Sequence, residues 1–317
     1  MSDGAQLLIP FAACADPACD AALRALPLPA MEKLLARLAP AELDGAGGES
    51  LSMPHELALA RLCGLPVADG RIPLAAWDLR RRHEDPGAVA CAWITPCQWQ
   101  AGAKHVFMLP PAQLGLDAAQ ARNLFDAMHP YFAQDGIELT FESPGRWLAR
   151  GELFADLPLA SLDRVTGRVL DSWMPAGTQG RALRRLQQEM QMLLYTHPVN
   201  DERQHQGLAP VNSFWASGAG ALPAGTPGEL PDGLAIDDSL REPALLQDWV
   251  AWSAAWRRID EGPAARLLKQ LQEGRRVAVT LCGERHARTW RSDGVGIVRR
   301  ISSLWSRRPV AESATPL

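Results

Sequence analysis

The sequence predicts an α/β protein in which a smaller α+β domain interrupts a sheet-containing core. Three observations predict it. Short apolar runs suited to strands alternate with stretches of helical periodicity, the pattern of an α/β architecture. The centre of the chain reads instead as a helix followed by a hairpin, IELTFE and then RWLARG. The length of 317 residues is enough for two domains, or for one core with a large insertion.

The elements follow in order. Residues 5–13 form an apolar run suited to a buried first strand. PAMEKLLARLA at 29–39 reads as an amphipathic helix with Pro29 near its start, and Gly45, Gly47 and Gly48 mark a loop after it. PHELALARLCG at 54–64 is a second helix, with Pro54 at its first position and Gly64 as its stop. Residues 88–95 and 104–109 are strand candidates. Residues 116–132 form a helix capped by Asp117, with Leu124, Phe125 and Met128 on one face. The hairpin at 137–151 comes next, and then a long helix from about 180 to 195. VNSFWAS at 211–217 is a strand that leads into GAGALPAGTPGELPDG, the clearest linker in the chain. A Trp-rich helix at 243–260, a helix at 263–273 and a strand at 275–283 complete the core. The expected domains are therefore 1–85 with 212–300 as the core, 86–211 as the insertion, and 301–317 as a basic and polar tail that frays.

Composition excludes several classes. The formal net charge of -4 gives no electrostatic footprint for nucleic acid. No stretch approaches the ~18 uninterrupted apolar residues of a membrane span. The opening MSDGAQLLIPFAAC lacks a basic segment and reads as a strand, not a signal peptide. The six cysteines are irregularly spaced with no CxxC pair, which fits reduced thiols in the cytoplasm. Eleven Trp against two Tyr point to Trp used for packing.

The common catalytic motifs are missing: no HExxH, GxSxG, Walker loop or GxGxxG. His83-Glu84-Asp85 beside Arg80, Arg81 and Arg82 reads as a solvated charge cluster. Arg299, Arg300, Trp305, Arg307 and Arg308 suit a packing helix with a charged face better than a membrane or nucleic-acid patch. One segment stands out: His197-Pro198-Val199-Asn200, then Arg203, Gly207, Pro210, Asn212 and Gly218-Ala219-Gly220. Such a set could bind an anion or fix a loop. Arg203 discriminates between the two. A structural Arg is closed to solvent and paired with a carboxylate such as Glu189 or Asp201, whereas a ligand-binding Arg faces a cleft.

That segment resembles a signature of the archaeal-type, cofactor-independent phosphoglycerate mutases of the alkaline phosphatase superfamily, with Val211 in place of an Ala. The likeness is collinear over about nine tenths of the chain. It takes in PAMEKLLARLA, PHELALARLCGLP, SLDRVTGR at 161–168 and AWRRIDEGPAARLLKQLQEGRRVAVTLCGE. The outline also resembles proteobacterial regulatory proteins of the RpfE type. The resemblance implies an alkaline-phosphatase-like three-layer sheet domain with an inserted domain.

The catalytic positions depart from the family pattern. The metal-binding Asp at the end of the first strand is replaced within Phe11-Ala12-Ala13. The Ser nucleophile and its neighbouring Asp fall on His55 and Glu56, and the terminal Asp-His pair falls on Cys282-Gly283. A two-metal site needs several carboxylates and imidazoles around ions ~3.5–4 Å apart. The reading is therefore a non-catalytic relative with no metal and no cofactor. It would act in regulation or bind a phosphorylated small molecule or a protein partner, through His197, Asn200, Arg203 and Asn212. The alternatives are a rebuilt enzyme site at His55, Glu56 and Cys282, expected to cluster at the C-terminal edge of the sheet, or a residual phosphoglycerate mutase.

Overall fold

The computed structural model describes residues 4–45, 47–293, 308–315 and 317. The chain divides into two compact units, Met1–Cys63 with Leu230–Leu317, and Gly64–Glu229. In chain order the first unit supplies β1 (Gly4–Ile9), α1 (Pro17–Ala25), α2 (Pro29–Arg37), β2 (Ala39–Asp44) and α3 (Pro54–Cys63). The second unit contains α4 (Leu74–Arg81), β3 (Cys91–Cys97), β4 (Trp99–Ala101), β5 (Val106–Met108), α5 (Ala118–Gln134), β6 (Glu138–Ser143) and β7 (Arg146–Arg150). It continues with α6 (Leu162–Val165), α7 (Gly177–Tyr195), α8 (Pro198–His205) and β8 (Ser213–Gly220). The chain then returns to the first unit with β9 (Leu234–Ile236), α9 (Arg241–Leu245), α10 (Trp249–Ile259), α11 (Ala265–Gln272), β10 (Arg276–Cys282), β11 (Ala287–Arg291) and α12 (Val310–Ala314).

The architecture is mixed α/β. The first unit holds a five-stranded sheet in the order β2-β11-β10-β1-β9. β1 runs parallel to β10, with Leu7 opposite Val279 and Ile9 opposite Leu281. The strands expected at 5–13 and 275–283 therefore share one sheet, the first of them ending at Ile9. Alternation along these strands separates two faces. Leu7, Ile9, Val277, Val279 and Leu281 join the large core formed with α1, α2, α10, α11 and α12. Leu8 and Cys282 turn to the other face, against Ala58 of α3. Burial on both sides accounts for the nearly continuous apolar runs of β1 and β10.

The second unit is built on an antiparallel sheet, β6-β7-β3-β8. Leu124, Phe125, Met128 and Phe132 of α5, with Leu183, Leu186, Met190 and Leu194 of α7, cover one face of it. β8 needs glycine at Gly218. Its φ is +63°, and an added Cβ would sit 2.8 Å from the Trp93 ring.

Two expectations are corrected. The crossings between units fall at 63/64 and 229/230, not at 85/86 and 211/212. The cause is β8, which pairs with β3 and not with the core sheet. The described part of the tail, residues 308–315 and 317, packs into the core where fraying was expected. Val310, Ala311, Ala314 and Leu317 are buried in the first unit's core, and fully burying a side chain such as Val310 or Leu317 contributes roughly 1.5–3 kcal/mol. Arg299, Arg300, Trp305 and Arg307 lie outside the described residues. The Trp expectation holds, since Trp147, Trp215, Trp252, Trp256 and Trp290 are among the largest fully buried side chains.

Candidate functional site

The segment from His197 to Asn212 is built from the end of α7 onward. His197 takes the N-cap position of α8, and its Nδ1 accepts the Val199 N–H at 3.3 Å. Pro198 follows at the first helical position, where no N–H is needed. Burial holds the His197 pKa below the ordinary imidazole value, with the Asp201 carboxylate acting in the opposite direction. Asn200 is 3% exposed and points inward. Its Nδ2 donates to Leu194 O at 2.8 Å and to Val211 O at 2.7 Å, and its Oδ1 accepts the Val211 N–H at 2.8 Å.

Arg203 is 0% exposed. Its Nε donates to Ala209 O at 2.9 Å, one terminal nitrogen donates to the Gln120 side-chain oxygen, and the other donates to Leu114 O. Burial lowers its pKa and the Asp117 carboxylate opposes that shift; a guanidinium stays charged in either case. Asn212 pairs with the backbone of Trp99 through both side-chain groups. Its Oδ1 accepts from Trp99 N at 2.7 Å, and its Nδ2 donates to Trp99 O at 2.8 Å. The four residues thus bind together α7, α8, β8, the start of β4 and the turn before α5. Arg203 is closed to solvent, as a structural Arg should be, but its partners are carbonyls and an amide, not the expected Glu189 or Asp201. Its guanidinium faces protein and presents no free edge to an anion.

The other candidates lie in the first unit. Glu56 is the third residue of α3, and its Oε2 accepts the Met53 N–H at 2.8 Å, closing the helix start in the manner of a capping box. The His55 ring packs against Phe11, with centroids 5.5 Å apart. Phe11 is itself buried, and its backbone carbonyl accepts the Trp252 indole N–H at 3.0 Å. Its φ of +55° is unusual for an aromatic residue. Cys282 is 0% exposed among Leu8, Ala58 and Ala287. Desolvation pushes its thiol far above the ordinary range, so the sulfur stays protonated. A Cβ on Gly283 would meet Leu317 at 2.6 to 2.7 Å, so no imidazole fits there. Among the described residues no three or more His, Cys, Asp or Glu side chains are grouped to hold a metal ion. His55, Glu56 and Cys282 therefore form no shared ligand shell.

No family model matches the chain. It is 31% identical over 80 residues to the 2,3-bisphosphoglycerate-independent phosphoglycerate mutase of Methanosarcina barkeri, covering 25% of this chain and 20% of that protein. It is 26% identical over 207 residues to the enzyme of the same name from Methanosarcina mazei, covering 63% of this chain and 50% of that protein. The chain thus spans half or less of the length of these relatives. A solved cofactor-independent phosphoglycerate mutase from Thermoplasma acidophilum aligns over 99% of both chains, with 14% identity and a TM-score of 0.36. The PH0037 protein of Pyrococcus horikoshii aligns over 92% of this chain and 88% of its own, with 12% identity and a TM-score of 0.41. The chain is distantly similar in sequence to archaeal cofactor-independent phosphoglycerate mutases. No helix among the described residues is long and apolar enough to cross a membrane.

One local signal could have exposed the structural role of the mutase-like segment. Gln120 is a polar residue one turn before Leu124 on the apolar face of α5. A buried amide needs partners, and a buried Arg nearby is one that can supply them.

Proposed function

We propose that this chain is a mutase-like protein without a phosphotransfer centre, which acts as a regulatory or small-anion-binding protein in the bacterial cytoplasm. The observation that carries this reading is the end of β1. There Phe11, Met53 and Trp252 pack into one core, at the position where the resembled family ends its first strand on a metal-binding Asp. The residues at the other corresponding positions do not fit a two-metal centre either. Glu56 is engaged in capping α3, Cys282 is a neutral buried thiol, and Gly283 is pressed against Leu317. A nucleophile in this chemistry must be activated and accessible. The same features weigh against a rebuilt enzyme at His55, Glu56 and Cys282.

The ligand class expected is a phosphorylated small molecule, with a protein partner as the alternative. The test has two arms. Interconversion of 2- and 3-phosphoglycerate is measured with Mg, Mn, Co and Zn supplied in turn, and no turnover above the blank is expected. Turnover that scales with protein concentration overturns the proposal. A thermal-shift screen of phosphorylated metabolites should then find a stabilising ligand, because binding at a hundredfold excess over Kd adds about 2.7 kcal/mol to the native state.

A further inference from the structure

A cavity of about 310 Å³ in the first unit is lined by α3 on one side and by β2, β11 and β10 on the other. Leu43, Ala58, Leu62 and Ala287 give it an apolar wall. Its polar groups are Thr280, Thr289, Arg291 and the pair of Arg61 with Asp44. An apolar wall with a few polar groups suits a small molecule.

The floor of the cavity holds an unspent donor. Thr280 of β10 stands opposite Thr289 of β11, and their hydroxyl oxygens meet at 2.8 Å. Thr280 is 7% exposed. Two hydroxyls carry two protons, and the contact between them uses one. Neither hydroxyl has another partner among the described residues, so one proton lacks an acceptor, which is costly in a buried place. Arg291 lies two residues beyond Thr289, on the same face of β11 and about 7 Å along the strand. Its guanidinium makes no ion pair or hydrogen bond among the described residues. The carboxylate of Asp44 is already neutralised by Arg61. An uncommitted cation and an uncommitted hydroxyl proton therefore stand side by side in one cavity.

We propose that this cavity binds a small phosphomonoester, with the phosphate held by Arg291 and the Thr280–Thr289 pair and the carbon skeleton laid against Leu43, Ala58 and Leu62. A phosphate has enough terminal oxygens to accept the guanidinium fork and the hydroxyl proton together. This rests on the small-anion reading above and gives that reading a site.

The test uses the full chain, purified without phosphate and titrated with n-propyl phosphate at constant ionic strength, with propanol and sodium chloride as controls. The melting temperature should rise to saturation with n-propyl phosphate and with neither control. Arg291→Gln should weaken the binding about tenfold or more, the worth of a hydrogen bond to a charged group, and leave the ligand-free melting temperature unchanged. The double variant Thr280→Val with Thr289→Val, which removes both hydroxyls and orphans neither, should weaken it as much. If the double variant does not fold, Arg291→Gln decides alone. No saturable rise in the wild type overturns the proposal, and so does an unchanged binding midpoint in either folded variant. A phosphorylated ligand that stabilises the wild type and Arg291→Gln equally removes this site but leaves the small-anion reading in place. Turnover of phosphoglycerate overturns that reading and leaves this titration as it stands.

Discussion

Asn200 holds Val211 by both of its backbone groups, accepting the N–H at 2.8 Å and donating to the carbonyl at 2.7 Å. The same amide nitrogen reaches Leu194 O at 2.8 Å. One side chain therefore joins the end of α7 to the approach to β8 in place of a strand partner. Asn200→Ala removes these bonds and leaves buried donors and acceptors unmatched, each costing roughly 1–3 kcal/mol. A loss of about 3 kcal/mol in urea unfolding is expected, with an unchanged m-value. Asn200→Asp should also destabilise, because a carboxylate cannot donate to Leu194 and Val211.

Arg203 should behave as part of the same frame. Arg203→Ala is expected to lower the melting temperature in the absence of any ligand, because the Gln120 side chain and the Ala209 and Leu114 carbonyls lose their donors together. Arg203→Lys should fail to rescue it, since one ammonium does not reproduce a planar fork with three separate partners. A variant with an unchanged melting temperature but lost stabilisation by a phosphorylated ligand would restore Arg203 to a binding role.

His197 should make stability depend on pH. As an N-cap its Nδ1 must carry a lone pair for the Val199 N–H, which only neutral imidazole provides. Burial holds its folded-state pKa below the ordinary 6.5. The unfolded state therefore binds the proton more readily. This contribution is complete above the unfolded value and is lost as pH falls from there toward the depressed folded value. Unfolding free energy measured from pH 8 to 5 should fall over that range in the wild type. His197→Asn keeps a good cap without titrating, so this part of the slope should disappear in the variant.

The strands with strong apolar character were legible. β1, β10 and the hairpin of β6 and β7 all lie where periodicity put them. β2 and β11 were not. ARTWR carries polar residues on the face that includes Thr289, which meets Thr280 across the sheet at 2.8 Å, so its pattern does not announce a buried strand. Nor does α8 announce itself as a helix, because PVNDERQH has no apolar stripe. Its inward face is made of Val199, Asn200 and Arg203, and polar burial is invisible to a hydrophobic pattern. The candidate residues were found by type and spacing, but their roles depend on partners far away in sequence. Gln120 lies 83 residues from Arg203 and Trp99 lies 113 from Asn212. A list of residue types cannot distinguish an Arg that waits for an anion from one already surrounded by carbonyls.

Phe11 gives the most direct test of whether the end of β1 has become core. Its ring lies 5.5 Å from that of His55, and its carbonyl accepts the Trp252 N–H. Phe11→Asp would put a carboxylate where the resembled family has one. Asp tolerates a positive φ better than Phe does, which offsets roughly 1 kcal/mol of backbone strain. Against this stand the lost aromatic packing, about 3–5 kcal/mol for a Phe truncated in a core, and a buried carboxylate without a charge partner. The net expectation is a loss of at least about 3 kcal/mol in chemical denaturation. Phe11→Asn, equally tolerant of the backbone but uncharged, should lose less. Adding Mn to Phe11→Asp should leave its melting temperature unchanged, since Glu56 is engaged in capping α3 and Cys282 stays a neutral buried thiol. A melting temperature that rises with Mn in Phe11→Asp but not in Phe11→Asn would mean that a metal centre can still assemble at this end of the sheet.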